Sequence, residues 1–582
     1  MSSAYRLAMI SRTLARLRSL QPSCALKGLS RTAALHTANS SKPYYVTTPI
    51  FYVNAEPHIG HLYSIMLTDL LKRWQQLLGR QSFMLTGTDE HGMKVQQVAQ
   101  QKGLDPKEFC DVISQKFRDL VSVAQISNDR FIRTTDEDHK LAVTRLWTVL
   151  QDRGFIYKDK HKGWYCISDE AFYPETQTVA STDPKSGMPI RITKESGKPV
   201  EWASEENYYF VLSKMQDQLL KYYEEHPDFV IPNSRYTEVK EAVKEGLPDL
   251  SISRPSRRST WGIPVPGDDT QTIYVWLDAL TNYLTAAGYA TAPSHDAFVT
   301  SIAAKNWADD AAAWPADVHV IGKDITRFHC IYWPAFLLAA GLPLPSHILV
   351  HSHWKMNGTK MSKSVGNVVD PYYQVNTLDA DSVRYYLLCQ NILEIDGDFS
   401  TESALKRRQV DVINKYGNLL GRVCSKKFSL EVSIKNMMSL SRKKRHSPAE
   451  TRSAEFLEQE RIFIETIDQL LGRVTTRMEH YDPTGALSEI WHLLYMGNKY
   501  CEDATPWKTE RGNLSPALFA VAECLRVTSI ILQAFLPQYA IGALDQLRVL
   551  QSRRTPEFAK YGVDNNYGKG SNDGKHLIKP II

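Results

Sequence analysis

Residues 44–87 read YYVTTPIFYVNAEPHIGHLYSIMLTDLLKRWQQLLGRQSFMLTG, and the order of patterns within them decides the fold. The run YYVTTPIFYVN is aromatic and β-branched, as suits a buried strand. Pro57 then opens a segment where Leu62, Met66, Leu70, Trp74 and Leu77 recur at four and three residues, one face of a helix that stops at Gly79. A second apolar run, SFMLTG, follows at 82–87. Strand, helix, strand predicts the opening of a parallel α/β sheet. Such sheets bind ligands beyond the carboxyl ends of their strands, where the strand order switches.

Outward from this unit the character changes three times. Between 155 and 262 the chain is aromatic, turn-rich and irregular, as in GWYCISDEAFYPETQTVASTDPKSGMPIRI, and reads as a subdomain inserted between two halves of the sheet. Strand signals return at IYVWLDAL (273–280), DVHVIG (317–322) and HILVHSHW (347–354). From 385 to 552 the pattern is helical. The stretch from 553 to 582 is rich in Gly, Asn and Lys and is expected to be mobile.

The chain has 582 residues, enough for several cores, and an ordinary globular composition with 43% hydrophobic and 23% charged residues. Its formal charge of +5 is unevenly placed. Residues 1–42 hold seven basic side chains and no acid, so removing them leaves the remainder at −2. The body is near neutral, and any nucleic-acid surface must be a local patch. Leu7, Ile10, Leu14 and Leu17 fall at helical spacing within that basic, Ser-rich leader, the pattern of a mitochondrial presequence; a basic disordered tail is the competing reading. The expected location is the mitochondrial matrix. No apolar run is long enough to span a bilayer, so no membrane partner is expected. The eight cysteines form no CxxC pair, which excludes a zinc knuckle or a thioredoxin-like motif.

Chemistry-bearing residues gather past the predicted strands. His58 and His61, three apart at a helix start, share a face. A helix N-terminus favours anions, and imidazoles add donors to phosphate oxygens. Gly60 between them leaves room for close approach of a ligand. Far downstream, KMNGTKMSKSVGNVV (355–369) concentrates Lys360 and Lys363 in one loop of small residues bracketed by Gly358 and Gly366. Taken alone this is a solvated loop or a polyphosphate clamp. Asp89, in TGTDEHG after a strand, is a single carboxylate suited to an ammonium. Trp276, Ala279, Leu280 and Tyr283 share a face if YVWLDALTNY turns helical. Ile325, His329 and Trp333, spaced four and four, make one helical stripe, which is either plain core or a pocket wall.

His58-Ile59-Gly60-His61 and Lys360-Met361-Ser362-Lys363-Ser364 match the HIGH and KMSKS signatures, and the chain resembles the class I aminoacyl-tRNA synthetases. Within that family the segments from about 43 to 540 resemble the methionine-specific members. The resemblance implies a split Rossmann-type parallel-sheet catalytic domain with an inserted connective subdomain, followed by an all-α helical-bundle anticodon-binding domain. It divides the chain into a presequence (1–42), a first catalytic half (43–154), a connective insertion (155–262), a second catalytic half with the lysine loop (263–384), an anticodon-binding domain (385–552) and the tail (553–582). It implies ATP, brought with Mg2+ as substrate, on Asn54, His58, Gly60, His61, Lys360, Met361, Ser362, Lys363 and Ser364. His58, His61, Lys360 and Lys363 would act in catalysis. L-Methionine would lie against Ile50, Tyr52, Trp276, Ala279, Tyr283, Ile325, His329 and Trp333, its amino group on Asp89. Leu280 stands where bacterial members carry proline, and Leu250 where some carry a pocket tryptophan.

In the helical region, Asn414, Asn418 and Arg422 in NKYGNLLGR, with Pro506 and Trp507 in ATPW, resemble the family's reader of a CAU anticodon, which makes tRNA(Met) the implied partner. Amide, guanidinium and indole groups suit unstacked bases. Only Cys166 stands where zinc-binding relatives have paired cysteines, so a zinc-free insertion is expected, with no metal ligands elsewhere. No coiled coil is evident, and a monomer is expected. Two other readings remain: a class I synthetase for another amino acid, and a synthetase-like protein that binds tRNA without catalysis.

Overall fold

Val46 and Thr47 pair in parallel with Val318 and His319, and the whole sheet is arranged around this junction. The structure, a computed structural model, describes residues 42–166, 171–183, 186–194, 196–305, 314–356, 358–361, 367–390, 393–440, 453–506 and 515–571. In chain order the strands of the main sheet are Tyr44–Thr47 (β1), Phe51–Tyr52 (β2), Ser82–Asp89 (β3), Arg130–Arg133 (β4), Val230–Ile231 (β5), Val318–Gly322 (β6) and His347–His351 (β7). They run β5, β7, β6, β1, β3 across the sheet, with every pair parallel. Thr48-Pro49-Ile50 separates β1 from β2; beyond it β2 pairs with the last two residues of β3, and β4 takes the other edge of β3. Proline lacks the N–H that would continue the ladder.

The helix predicted between the first strands is Ile59–Leu77 (α1), with His58 as its N-cap and Gly79 at φ 83 just past its end. Leu62, Met66, Leu70 and Trp74 are all buried, and their face continues into one apolar core that reaches Phe535 and Leu544 far along the chain. Two short helices, Val275–Leu280 (α2) and Asn282–Ala286 (α3), precede β6. After β6 the chain makes a π-helical turn, Phe328–Tyr332, and enters Trp333–Ala340 (α4).

The interval 155–262 is largely antiparallel. Ile156–Cys166 and Pro199–Phe210 form a long pair, and Thr178–Thr182 and Pro189–Thr193 extend it. Yet β5 lies inside this interval and belongs to the parallel sheet beside β7, so the chain returns to the main sheet before 262. Cys166 is buried, and the described cysteines are all free thiols. Among the described residues no group of three or more His, Cys, Asp or Glu side chains could hold a metal ion. No described helix is long and apolar enough to cross a membrane.

The helix Ala380–Leu388 (α5) runs unbroken through the expected boundary at 384. It carries Arg384, whose guanidinium meets the Asp69 carboxylate of α1 at 2.7 Å with both side chains buried. Asp69 also accepts from Arg73 at 2.7 Å and from the Ser127 backbone N–H at 2.8 Å. Burial pushes this carboxyl up, but Arg384 and Arg73 outweigh it and hold it below its usual value. One acid therefore joins α1, the segment before β4 and α5. Further on, Ala454–Glu479, Pro483–Ala504, Ser515–Leu532 and Pro537–Gln546 pack side against side.

Two expectations need correction. Lys42, placed at the end of the leader, is ion-paired with Asp317 and donates to the Pro315 carbonyl at 2.7 Å, so it belongs to the folded body; residues 1–41 lie outside the described residues. The described part of the tail, up to residue 571, is not loose; residues 572–582 lie outside the described residues. Arg526 and Glu523, both fully buried and paired at 2.6 Å, require further partners. Arg526 donates to the Phe558 carbonyl at 2.5 Å and the Lys560 carbonyl at 2.7 Å, while Glu523 accepts from Tyr567 at 2.6 Å. A buried ion pair is tolerable only when its remaining hydrogen-bonding capacity is met, and the tail meets it. A chain ending at Arg553 is therefore expected to lose about 1–3 kcal/mol for each buried group left without a partner, seen as a lower midpoint of thermal unfolding. An unchanged midpoint would show the tail to be dispensable.

Candidate active site

A cavity of about 650 Å³ opens beyond the carboxyl ends of β1, β3, β6 and β7, where the strand order switches. Its wall includes Ile50, Tyr52, Asn54, His58, Gly60, His61, Asp89, Trp276, Ala279, Leu280, Tyr283, Ile325, His329 and Met361. Residues drawn from five separate stretches thus meet in one place.

The two histidines of the first motif form a capping box. The Gly60 N–H donates to His58 Nδ1 at 3.1 Å, and the His58 N–H donates to His61 Nδ1 at 3.2 Å. The rings stack at 3.7 Å between centroids. With each Nδ1 serving as acceptor, the proton of each neutral ring sits on Nε2. Phe51 and Phe117 pack against the His61 ring at 5.0 and 5.3 Å. Gly60 lines the cavity and also serves its neighbour. A Cβ there would lie 2.9 Å from His58 Cε1, so the missing side chain makes room for the His58 ring.

The opposite wall is aromatic and uncharged. Trp276 on α2 stacks on Phe328 at 3.5 Å and meets Tyr52 edge-on at 6.1 Å. His329 Nδ1 donates to the Ile325 carbonyl at 3.1 Å, which makes Nε2 an acceptor for the Tyr283 hydroxyl at 2.7 Å. Burial holds His329 down at about 4, and His319, behind Tyr283, well below its usual value. Burial likewise holds His351, bonded to Ser64 at 2.7 Å, at about 4. All three imidazoles are neutral at physiological pH. Asp89 faces the space from the last position of β3, 2% exposed; Asp324 also lines it, bonded to His353 at 3.0 Å.

Trp333 is not part of this wall. The π-helical turn at Phe328–Tyr332 widens the spiral, so residues four apart no longer share a stripe. Trp333 lies fully buried behind the cavity, its indole N–H 3.3 Å from His319 Nε2 and its ring 5.9 Å from Tyr283. Leu250 is also elsewhere, paired with Phe210 in the antiparallel sheet. Lys360 is placed by its backbone alone, in a short strand opposite Lys355. Ser362, Lys363 and Ser364 lie outside the described residues. The motifs did not point to Lys94, Asp324, His351 or His353, which also line the cavity. His351 and His353 follow the two-residue period of HILVHSHW, a signal that sequence reading could have used.

In the helical region Asn414, Asn418 and Arg422 are exposed at spacings of four, and Arg422 lies 3.6 Å from Glu502. Pro506 is buried; Trp507 lies outside the described residues.

A family model described as tRNA synthetases class I (M) matches residues 44–424. A probable mitochondrial methionine–tRNA ligase of Neurospora crassa is 44% identical over 93% of this chain and 85% of its own length. The chain belongs to the class I tRNA synthetases of the methionine type. A mitochondrial methionine–tRNA ligase of Saccharomyces cerevisiae is 41% identical over 91% of this synthetase and 94% of its own length. The solved methionyl-tRNA synthetase of Mycobacterium tuberculosis, in complex with methionyl-adenylate, superposes with a TM-score of 0.77 at 38% identity, covering 91% of this chain and 98% of that one.

The neutral histidines give the synthetase a pH signature. Between the usual imidazole value of about 6.5 and the folded value of about 4 for His329 and His351, the unfolded chain binds protons that the folded chain refuses. Stability contributed by their burial is fully present above the upper limit and is lost as pH falls through this window. The thermal midpoint should fall accordingly, and less steeply in His329→Gln. Equal slopes in the two proteins would count against the assignment.

Proposed function

We propose that this synthetase activates L-methionine with ATP and then transfers it to tRNA(Met), with the motif residues in the following roles. In the first step a methionine carboxylate oxygen bonds to the α-phosphorus, the bond from that phosphorus to the bridging oxygen breaks, and pyrophosphate leaves. In the second, a hydroxyl of the 3′-terminal adenosine attacks the activated carbonyl and AMP leaves with the bonding pair. Both steps are charge-balanced transfers that need positioning and electrostatic stabilisation, and no covalent nucleophile.

The observation that carries this reading is the meeting of Asp89, an uncharged aromatic wall and the His58–His61 pair around one cavity. An ammonium is drawn to Asp89. A thioether, flexible and polarisable, packs against Tyr52, Trp276 and Tyr283. A cationic side chain would find neutral His329, and the other acid on the cavity, Asp324, already engaged by His353 at 3.0 Å. Nε2 protons on His58 and His61 would face the α-phosphate side, with Asn54 and Gly60 beside them. Lys360 and Lys363 would hold the pyrophosphate side, Met361, Ser362 and Ser364 completing that loop. ATP would arrive as its magnesium complex, the ion being part of the substrate. Asn414, Asn418, Arg422, Pro506 and Trp507 would read the CAU anticodon from the helical region, in a chain divided as the motifs suggest. The basic leader, together with relatives named as mitochondrial, supports action in the mitochondrial matrix.

Pyrophosphate exchange with a panel of amino acids tests the assignment. Strong exchange is expected with methionine and none with leucine, isoleucine, valine or cysteine; the reverse would overturn it. Gly60→Ala should push the His58 ring from its place and slow methionine-dependent exchange by about a hundredfold, the scale of an ångström-level misplacement, with methionine affinity little changed. Exchange at the normal rate would remove His58 from the phosphate side.

A further inference from the structure

Asp278 does not line the cavity, yet it lies beneath two of its walls. It is carried by α2, which presents Trp276 and Ala279 to the cavity, and its own side chain is 1% exposed. One oxygen, Oδ2, accepts from His91 Nδ1 at 2.7 Å; the other, Oδ1, accepts from His139 Nε2 at 2.8 Å. His91 stands two residues beyond Asp89 in TGTDEHG. His139, on Glu137–Asp152, also meets Thr285 of α3 at 3.0 Å. Burial pushes the Asp278 carboxyl up, but the two imidazoles outweigh it and hold it down at about 2.

The rest of the loop is tied in other directions. Glu90 receives the Arg133 guanidinium of β4 at 2.6 and 2.9 Å. The Gly92 N–H donates to the Trp261 carbonyl at 3.0 Å, and the Trp261 indole donates to the Glu90 carbonyl at 2.6 Å. Those bonds fix the loop against the sheet and against residue 261. The His91–Asp278 bond connects it to the pocket helix. A buried carboxylate cannot give up a donor without leaving charge uncompensated, so loop and helix keep one spacing.

We propose that Asp278 is a positioning residue that sets the distance between Asp89, the anchor for an ammonium, and Trp276 with Ala279, the walls of the side-chain pocket. The site then accepts an L-α-amino acid whose ammonium and side chain fit that spacing together, and the energy of the ammonium contact is available only when the spacing holds. This rests on the reading of Asp89 and of the aromatic wall given above.

Equilibrium binding of L-methionine and of its desamino analogue to the full chain, with ATP binding as the check on folding, tests it. The variants are His91→Ala, which removes the donor, His91→Asn, whose amide nitrogen stands in for Nδ1, and Asp89→Ala. His91→Ala is expected to weaken methionine on the order of tenfold or more, while the desamino analogue and ATP bind nearly as before; His91→Asn should restore most of the loss. Asp89→Ala should abolish the preference for methionine over the analogue. If it does not, the anchor reading fails and the proposal with it. If Asp89→Ala responds while His91→Ala weakens both ligands equally, weakens neither, or is not rescued by His91→Asn, the role assigned to Asp278 is overturned and the anchor reading stands.

Discussion

The parallel pairing of β1 with β6 is the constraint from which the rest of the molecule follows. It joins residues 272 positions apart, as the Thr47–His319 bond across the junction shows. Closing so long a loop has an entropic cost, though one that grows only slowly with length. The junction is reinforced on all sides: the Tyr45 N–H donates to Asp317 at 2.8 Å, the Tyr45 hydroxyl to the Tyr283 carbonyl at 2.9 Å, and Lys42 pairs with Asp317. Through it the half of the sheet that bears His58 and Asp89 meets the half that leads to His329 and the lysine loop. The cavity exists because that pairing leaves a gap at the switch in strand order.

Charge in this region is arranged by depth. The aromatic side of the cavity and its backing are kept neutral by burying His319, His329 and His351 until they release their protons. Behind it, Asp278 and Asp69 stay ionised because each is matched by imidazole or guanidinium partners. The result is a pocket in which Asp89 offers an ionic attraction to a ligand while Asp324 is engaged by His353, and the supporting ion pairs hold walls and helices in place. Removing ionic competition from the wall is a way to select an uncharged side chain without contacting it polarly.

The first motif shows how a helix start can be built for binding. His58 and His61 satisfy two of the backbone N–H groups that every helix leaves open at its beginning. The same bonds orient both rings and determine which nitrogen carries the proton. Capping and the orientation of the cavity-facing rings are therefore one arrangement, and Gly60 is required by the ring of His58.

The βαβ opening was legible because its signals are local: the period of α1, the strand runs on either side and Gly79 beyond it all reside in consecutive residues. The two motifs were equally legible, since each is contiguous. Other features were not. The stripe of Ile325, His329 and Trp333 assumed an α-helical period, and a π turn moved Trp333 into the core. The tail after Arg553 has a loose composition, yet the hydrogen-bonding needs of Arg526 and Glu523 hold its segment from Phe558 to Tyr567. Asp278, His91 and His139 stand in unrelated segments with nothing to link them until the chain is folded. Periodicity and contiguous motifs belong to the sequence itself; which distant side chains share a buried charge is decided only by tertiary structure, because a buried ion is stable solely where its partners are brought to it.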